Sequence, residues 1–149
     1  MRIKVKFIIG FQAPVKLTDL RNHRKELSYP GVYLIVKSNG KPSEVSPFSK
    51  QVVYIGKAIR ETIFSRNVKH LGSVMDRRLN SGRPMYAPGS RFIRFRESIK
   101  RDPSTLWVIP SLISQTYKIW CAEEFLLFEY RRRRGDLPVG NTKGTRWNI

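Results

Sequence analysis

Of the 149 residues, one is cysteine, two are histidine and 11 are acidic. A lone Cys121 excludes an internal disulfide, and with only His23 and His70 beside it a structural zinc site built from Cys and His is excluded as well. No apolar run approaches the roughly 18 residues of a membrane span. The longest, LWVIPSLI and EEFLLFEY, are broken by Pro or Glu. The N-terminus, MRIKVKFIIGF, alternates Lys with apolar residues and lacks the long apolar region and small-residue cleavage site of a signal peptide. These absences lead to the expectation of an intracellular protein with no membrane partner.

What the chain has is positive charge: 29 Lys and Arg against 11 acids, a formal net charge of +18. The composition, 40% hydrophobic and 11% aromatic, is that of a globular chain, and the length suits one domain, residues 1–149. A packed domain that holds this charge against its own repulsion calls for a polyanion as its working partner. Nucleic acid is the first expectation and an anionic membrane surface the second.

Ile3, Val5 and Phe7 alternate with Lys4 and Lys6, the period-2 pattern of a half-buried N-terminal strand. Residues 11–29 are polar, loop-like or briefly helical. GVYLIVKSNG and QVVYIG then form two β-rich runs joined by GKPSEVSPFSK, which predicts a long exposed hairpin loop over 38–50. After Gly56 the spacing of Ile59, Ile63, Val68 and Leu71 predicts a helix, with Gly72 a weak point. FIRFRESIKRD reads as a short basic helix halted by Pro103, and LWVIPSLI as a strand interrupted or ended by Pro110. TYKIWCAEEFLLFEYRRRR is the longest helical signal, closed by Gly135 and Pro138. The fold class expected is α/β (α+β), a small, mainly antiparallel or mixed sheet flanked by helices.

The acids are few enough to take one by one. No D-x-D or D-x-E pair occurs, and no strand offers an acid followed by E-x-K, so the converging carboxylates of a two-metal nuclease are not available. A phosphodiester-cleaving site on this chain would have one or two carboxylates and a surplus of Tyr, Arg, His and Lys.

Gly31-Val32-Tyr33 and Tyr54-Ile55-Gly56, each in an apolar strand-like run, resemble the two halves of the GIY-YIG nuclease signature. Their tyrosines stand 54 − 33 = 21 positions apart, further than in the family's short hairpins, and the extra length falls in the Pro/Ser-rich loop. Downstream the agreement continues in order. Arg66 and His70 lie four apart on the predicted helix and share a face. Glu123-Glu124-Phe125-Leu126-Leu127 precedes Pro138 and Asn141. Glu123 has the Leu pair three and four residues on; Glu124 is the competing choice, and Glu129, 12 positions before Asn141, lacks that pair. The resemblance covers residues 30–141 and implies a three-stranded, mainly antiparallel central sheet, to which this chain adds its N-terminal strand.

The resemblance also implies chemistry. Glu123 would ligate one divalent ion per site, Mg2+ or Mn2+, and there would be no small-molecule cofactor. Arg66 would meet phosphate oxygens as a permanently charged fork. Tyr33 would be the general base, its phenol made usable by cationic neighbours among His70, Arg66 and Lys57. Tyr54 would position water or phosphate, and Asn141 would anchor the site by hydrogen bonds. Two basic groups, Arg91, Arg94, Arg96, Lys100 and Arg101, then Arg131, Arg132, Arg133 and Arg134, are assigned to duplex backbone. Trp107, Trp120 and Trp147 read as packing residues rather than base-stacking platforms, and Cys121 as a buried small residue.

The expectation is a metal-dependent endonuclease acting on double-stranded DNA. Restriction-type or phage-encoded enzymes with recognition built into one domain are its nearest kin in style. Cutting both strands with one site per chain calls for a homodimer, at least on DNA, or for sequential nicking. The rival reading is a non-catalytic basic protein bound to nucleic acid, for instance to RNA, in which the tyrosines only pack.

Overall fold

A computed structural model describes residues 1–2, 8–83 and 102–141. Its hub is the strand Gly31–Lys37, whose GVYLIVK run is buried at every position but the last, as suits a strand covered on both faces. The sheet has four strands, β1 (Val15–Lys16), β2 (Gly31–Lys37), β3 (Val52–Ala58) and β4 (Leu106–Leu112), in the order β1-β4-β2-β3. All neighbours are antiparallel. The helices are α1 (Arg24–Leu27), α2 (Ile63–Val74) and α3 (Thr116–Arg134), with a 3-10 segment at Leu17–His23 before α1.

Alternation along β2 divides the apolar side chains between two cores. Tyr33 and Ile35, with Leu106 and Val108 of β4, pack against Leu17, Leu20, Leu27 and the α2 residues Ile63 and Val74. Val32, Leu34 and Val36, with Ile55 and Ile109, pack against Ile119, Ala122, Leu126, Leu127 and Tyr130 of α3. The result is three layers with the sheet in the middle. Full burial of a Leu or Ile side chain stabilises by about 1.5–3 kcal/mol, so these two sets carry most of the fold's stability.

Several expectations change in detail. The strand expected at residues 3–7 lies outside the described residues, and the described edge strand is Val15–Lys16, within the stretch read as loop-like or helical. β4 runs through Pro110. The Pro110 carbonyl accepts from the Gln12 amide at 2.8 Å. A strand residue points its nitrogen to the same flank as its carbonyl, so the missing N–H falls on the β1 side, past the end of that two-residue strand, and leaves the β2 ladder intact. α2 begins at Ile63, because the Thr62 side chain caps it by accepting from the Ser65 amide at 3.0 Å; Ile59 precedes it, and Gly72 is accommodated inside it.

The long connection after β2 is not simply exposed. Pro42 is buried, and Val45 and Phe48 pack on the α3-side core. Arg133 lies over the Phe48 ring at 4.3 Å, and Arg134 Nε donates to the Phe48 carbonyl at 2.5 Å. α3 ends at Gly135, left-handed at φ 84°, whose amide closes on the Arg131 carbonyl.

Candidate active site

The two glycines of the strand motifs have steric reasons to be glycine. Gly31 sits at φ 154°, where a Cβ would meet the Ser111 carbonyl oxygen at 2.1 Å. Gly56 pairs across β2–β3 with Tyr33, and a Cβ there would stand 2.5 Å from both the Tyr33 and the Tyr54 rings. The space vacated at Gly56 is filled by these two tyrosines, whose ring centroids are 6.1 Å apart.

α2 supplies the next layer. Its first turn follows the Thr62 cap, and its buried face carries Ile63, Asn67, His70 and Val74 at helical spacing. His70 therefore points to the sheet. Tyr33 Oη lies 2.6 Å from His70 Nε2, and the Tyr54 and His70 rings meet edge to face at 4.7 Å. Burial holds the His70 pKa down to about 3, with Arg66 and Lys69 pushing the same way. A neutral imidazole carries its one proton on either ring nitrogen, so the tautomer sets which of Tyr33 Oη and His70 Nε2 donates. His70 is thus not the cationic neighbour expected of it. Burial also holds the Tyr33 phenol well above its ordinary value of 10.0, Tyr54 adding to the effect and Arg66 opposing it. Tyr54 is raised too, again by burial and against Arg66.

β3 is the sheet's edge strand, so groups from both faces reach around it to one place. Tyr54, Lys57, Ile59, Arg60, Glu61, Arg66, Lys69 and Glu123 line a cleft of about 530 Å³ there. α3 brings in Glu123 one turn after Ile119, on the border of its buried stripe. Glu123 Oε1 accepts from Lys57 Nζ at 2.5 Å, and that ammonium also lies 4.2 Å from the centroid of the Trp120 ring. Burial raises the Glu123 pKa against the pull of Lys57. Across the cleft Glu61 holds two cations, Lys69 at 2.8 Å and Arg66 at 3.4 Å, and its own pKa is lowered: burial raises it, and the Lys69 hydrogen bond and charge outweigh that. Among the described residues the buried Arg66 Nε has no hydrogen-bond partner, while the guanidinium stands within reach of the Tyr33 and Tyr54 phenols.

Of the residues singled out in sequence, Tyr54, Lys57, Arg66 and Glu123 line the cleft, and Tyr33 and His70 stand buried behind it. Asn141 stands apart from the cleft lining. Its Oδ1 accepts from the Ile55 amide at 2.9 Å and its Nδ2 donates to the Ile55 carbonyl at 2.8 Å, so it pairs with the free edge of β3 as a further strand would. Glu124 does not line the cleft. Arg131, Arg132, Arg133 and Arg134 are exposed at the far end of α3, where Arg132 and Arg133 bind Glu129 and hold its pKa down to about 2. Arg91, Arg94, Arg96, Lys100 and Arg101 lie outside the described residues.

Sequence reading missed Arg60, Glu61 and Lys69. Glu61 reaches Lys69 eight positions on because it precedes the helix cap, a spacing that helical periodicity does not flag. Trp120, read as a packing residue, is 40% exposed and packs against the Lys57 ammonium, and Cys121, read as buried, is exposed.

A divalent ion can be tested against this donor set. Among the described residues no three His, Cys, Asp or Glu side chains come together. An ion here would take the Glu123 carboxylate and fill its other positions with water and phosphate oxygens, which suits Mg2+. The second Glu123 oxygen takes no hydrogen bond from the described residues and fits that use. No helix among the described residues is long and apolar enough to cross a membrane. Comparisons of the chain with protein-family models, curated proteins and solved structures return no match.

Proposed function

We propose that this chain is a metal-dependent DNA endonuclease of the GIY-YIG kind, a restriction-type or mobile-element enzyme whose cleft hydrolyses phosphodiester bonds. The observation that carries the reading is convergence. Tyr54, Lys57, Arg66 and Glu123, from β3, α2 and α3, line one cleft with Tyr33 and His70 packed behind.

Arg66 receives the scissile phosphate, its place in the cleft lining and its permanent charge matching phosphate oxygens. Removing a donor of this kind costs about 10²–10³ in rate. Lys57 adds a second cation beside it. Tyr54 is the phenol that lines the cleft, so it faces the attacking water, and the base role that the resemblance gives to Tyr33 passes to the tyrosine pair. Arg66 beside both phenols favours their ionised form against the burial that opposes it. Glu123 would hold the divalent ion, which supplies Lewis-acid stabilisation of phosphate and leaving-oxygen charge when bound. Asn141 keeps the β3 edge in place.

The test is cleavage of plasmid DNA and of structured RNA by purified protein in Mg2+ and in EDTA. The reading expects DNA cleavage that EDTA abolishes and that Arg66→Ala lowers at least a hundredfold. Binding to both polymers without cleavage of either would replace it with the non-catalytic reading.

A further inference from the structure

We infer that Arg60 and Lys69 form a second phosphate subsite in the cleft, for the backbone phosphate next to the one on Arg66, and that Glu61 occupies this subsite in the free protein and is displaced when nucleic acid binds. The inference rests on the nucleic-acid part of the reading above and does not require cleavage. Arg60, Glu61, Arg66 and Lys69 all line the cleft. Glu61 Oε2 accepts from Lys69 Nζ at 2.8 Å and from Ser65 Oγ at 3.3 Å, and Glu61 Oε1 lies 3.4 Å from Arg66 Nη1. Arg60 is exposed, and its side chain enters no hydrogen bond or ion pair among the described residues. Lys57 takes Glu123, so the other three cations of the lining have one carboxylate among them.

The contacts of Glu61 show what the subsite takes. An ammonium, a hydroxyl and a guanidinium gathered on one carboxylate are donors that phosphate oxygens also accept from. Arg66 and Lys69, three apart on α2, have about 5–6 Å between their Cβ atoms, a step comparable with that between neighbouring phosphates of one strand. Glu61 stands between β3 and the Thr62 cap, outside both elements, and its side chain is 26% exposed. A change of its rotamer therefore carries the carboxylate to solvent and leaves α2 in place. Burial opposes ionisation of Glu61, the Lys69 and Arg66 contacts outweigh it, and the lowered pKa keeps the group charged at neutral pH. It thus repels phosphate until it leaves. Partly exposed ion pairs add little to stability, so Glu61 can be neutralised in a folded chain.

The experiment measures the affinity of the full chain for a short DNA duplex in EDTA, without turnover, across a salt series and with thermal midpoints checked. Wild type, Glu61→Gln, Lys69→Ala, Arg60→Ala and the double variant Glu61→Gln with Lys69→Ala are compared. Glu26→Gln and Lys25→Ala, exposed and outside the cleft lining, make the same charge changes elsewhere. Glu61→Gln should tighten binding about threefold to tenfold, Lys69→Ala and Arg60→Ala should weaken it by about the same factor and lower the salt slope by about one each, and the two controls should stay within about twofold of wild type. In the Lys69→Ala background the gain from Glu61→Gln should shrink to about twofold or less, because the carboxylate no longer competes for that ammonium. Equal gains in both backgrounds, or control effects as large as those in the cleft, would reduce the result to net charge and overturn the inference. Binding of phosphatidylglycerol vesicles with this pattern, and of DNA without it, would give the cluster to a lipid surface and overturn it too. A wild type that binds no DNA defeats the nucleic-acid reading and the inference together; DNA binding with no coupling between Glu61 and Lys69 defeats the inference alone.

Discussion

Neutral His70 inside the fold makes stability depend on pH in a window where few other groups titrate. Its pKa is about 3 in the folded protein against 6.5 for the free side chain, so between these values the unfolded chain holds the extra proton. Stability therefore rises with pH across the window. The contribution is fully present above pH 6.5 and is lost as pH falls, at about 1.4 kcal/mol per unit, or about 2 kcal/mol by pH 5. Glu61, with its lowered pKa, loses stability in the same direction but at lower pH, whereas His23 and Glu123, both raised, act in the opposite sense. Comparison with His70→Gln removes them, since they are common to both proteins, and Gln keeps an acceptor for the Tyr33 hydroxyl. Urea unfolding followed by circular dichroism from pH 5 to 7.5 should give a wild-type stability that rises by about 2 kcal/mol relative to the variant. Parallel profiles would mean that the imidazole titrates inside the fold as it does outside, and the neutral state of His70 would fall with it.

Asn141→Ala removes both side-chain hydrogen bonds to Ile55 and should lower stability by about 1–3 kcal/mol in urea, with little change in single-turnover cutting rate at temperatures where the variant is folded. Rate loss without stability loss would return Asn141 to the chemistry. Gly56→Ala puts a methyl group against both tyrosine rings and should destabilise by about 1–3 kcal/mol while cutting falls more than tenfold; unchanged rates would detach the tyrosines from the reaction. Phe48→Ala releases the loop from Arg133 and from the core beneath, so trypsin should cleave at Lys41 or Lys50 faster than in wild type, and equal cleavage would refute the docking of that loop.

Much of the architecture is written in residue order. The unbroken GVYLIVK run marks a strand covered on both faces, and Gly135 after a 19-residue periodic segment marks the end of α3. What was not legible depends on neighbours distant in sequence. Pro110 reads as a strand end, because nothing in LWVIPSLI tells which flank its nitrogen faces; β1 has to be placed first. The loop over 38–50 reads as exposed from its Pro and Ser content, and only the approach of Arg133 and Arg134 explains why Phe48 folds inward. In the site, the resemblance to the GIY-YIG signature singles out Tyr33, Tyr54, Arg66 and Glu123, but which tyrosine lines the cleft follows from the depth of α2 packing. The protonation of His70 follows from burial, which spacing does not encode. The partners Glu61 and Lys69 emerge only when the loop before α2 is in place.

The central claim is that the cleft around Arg66 and Glu123 performs phosphodiester hydrolysis rather than binding alone. The most direct measurement puts wild type and Glu123→Ala side by side on supercoiled plasmid in Mg2+, with DNA affinity determined on the same samples in EDTA and folding checked by thermal melting. The account predicts nicked and linear product from wild type, a rate at least a hundredfold lower from the variant, and affinities within about threefold of each other. Equal cutting by both proteins, or no cutting by wild type while it binds DNA, would contradict it.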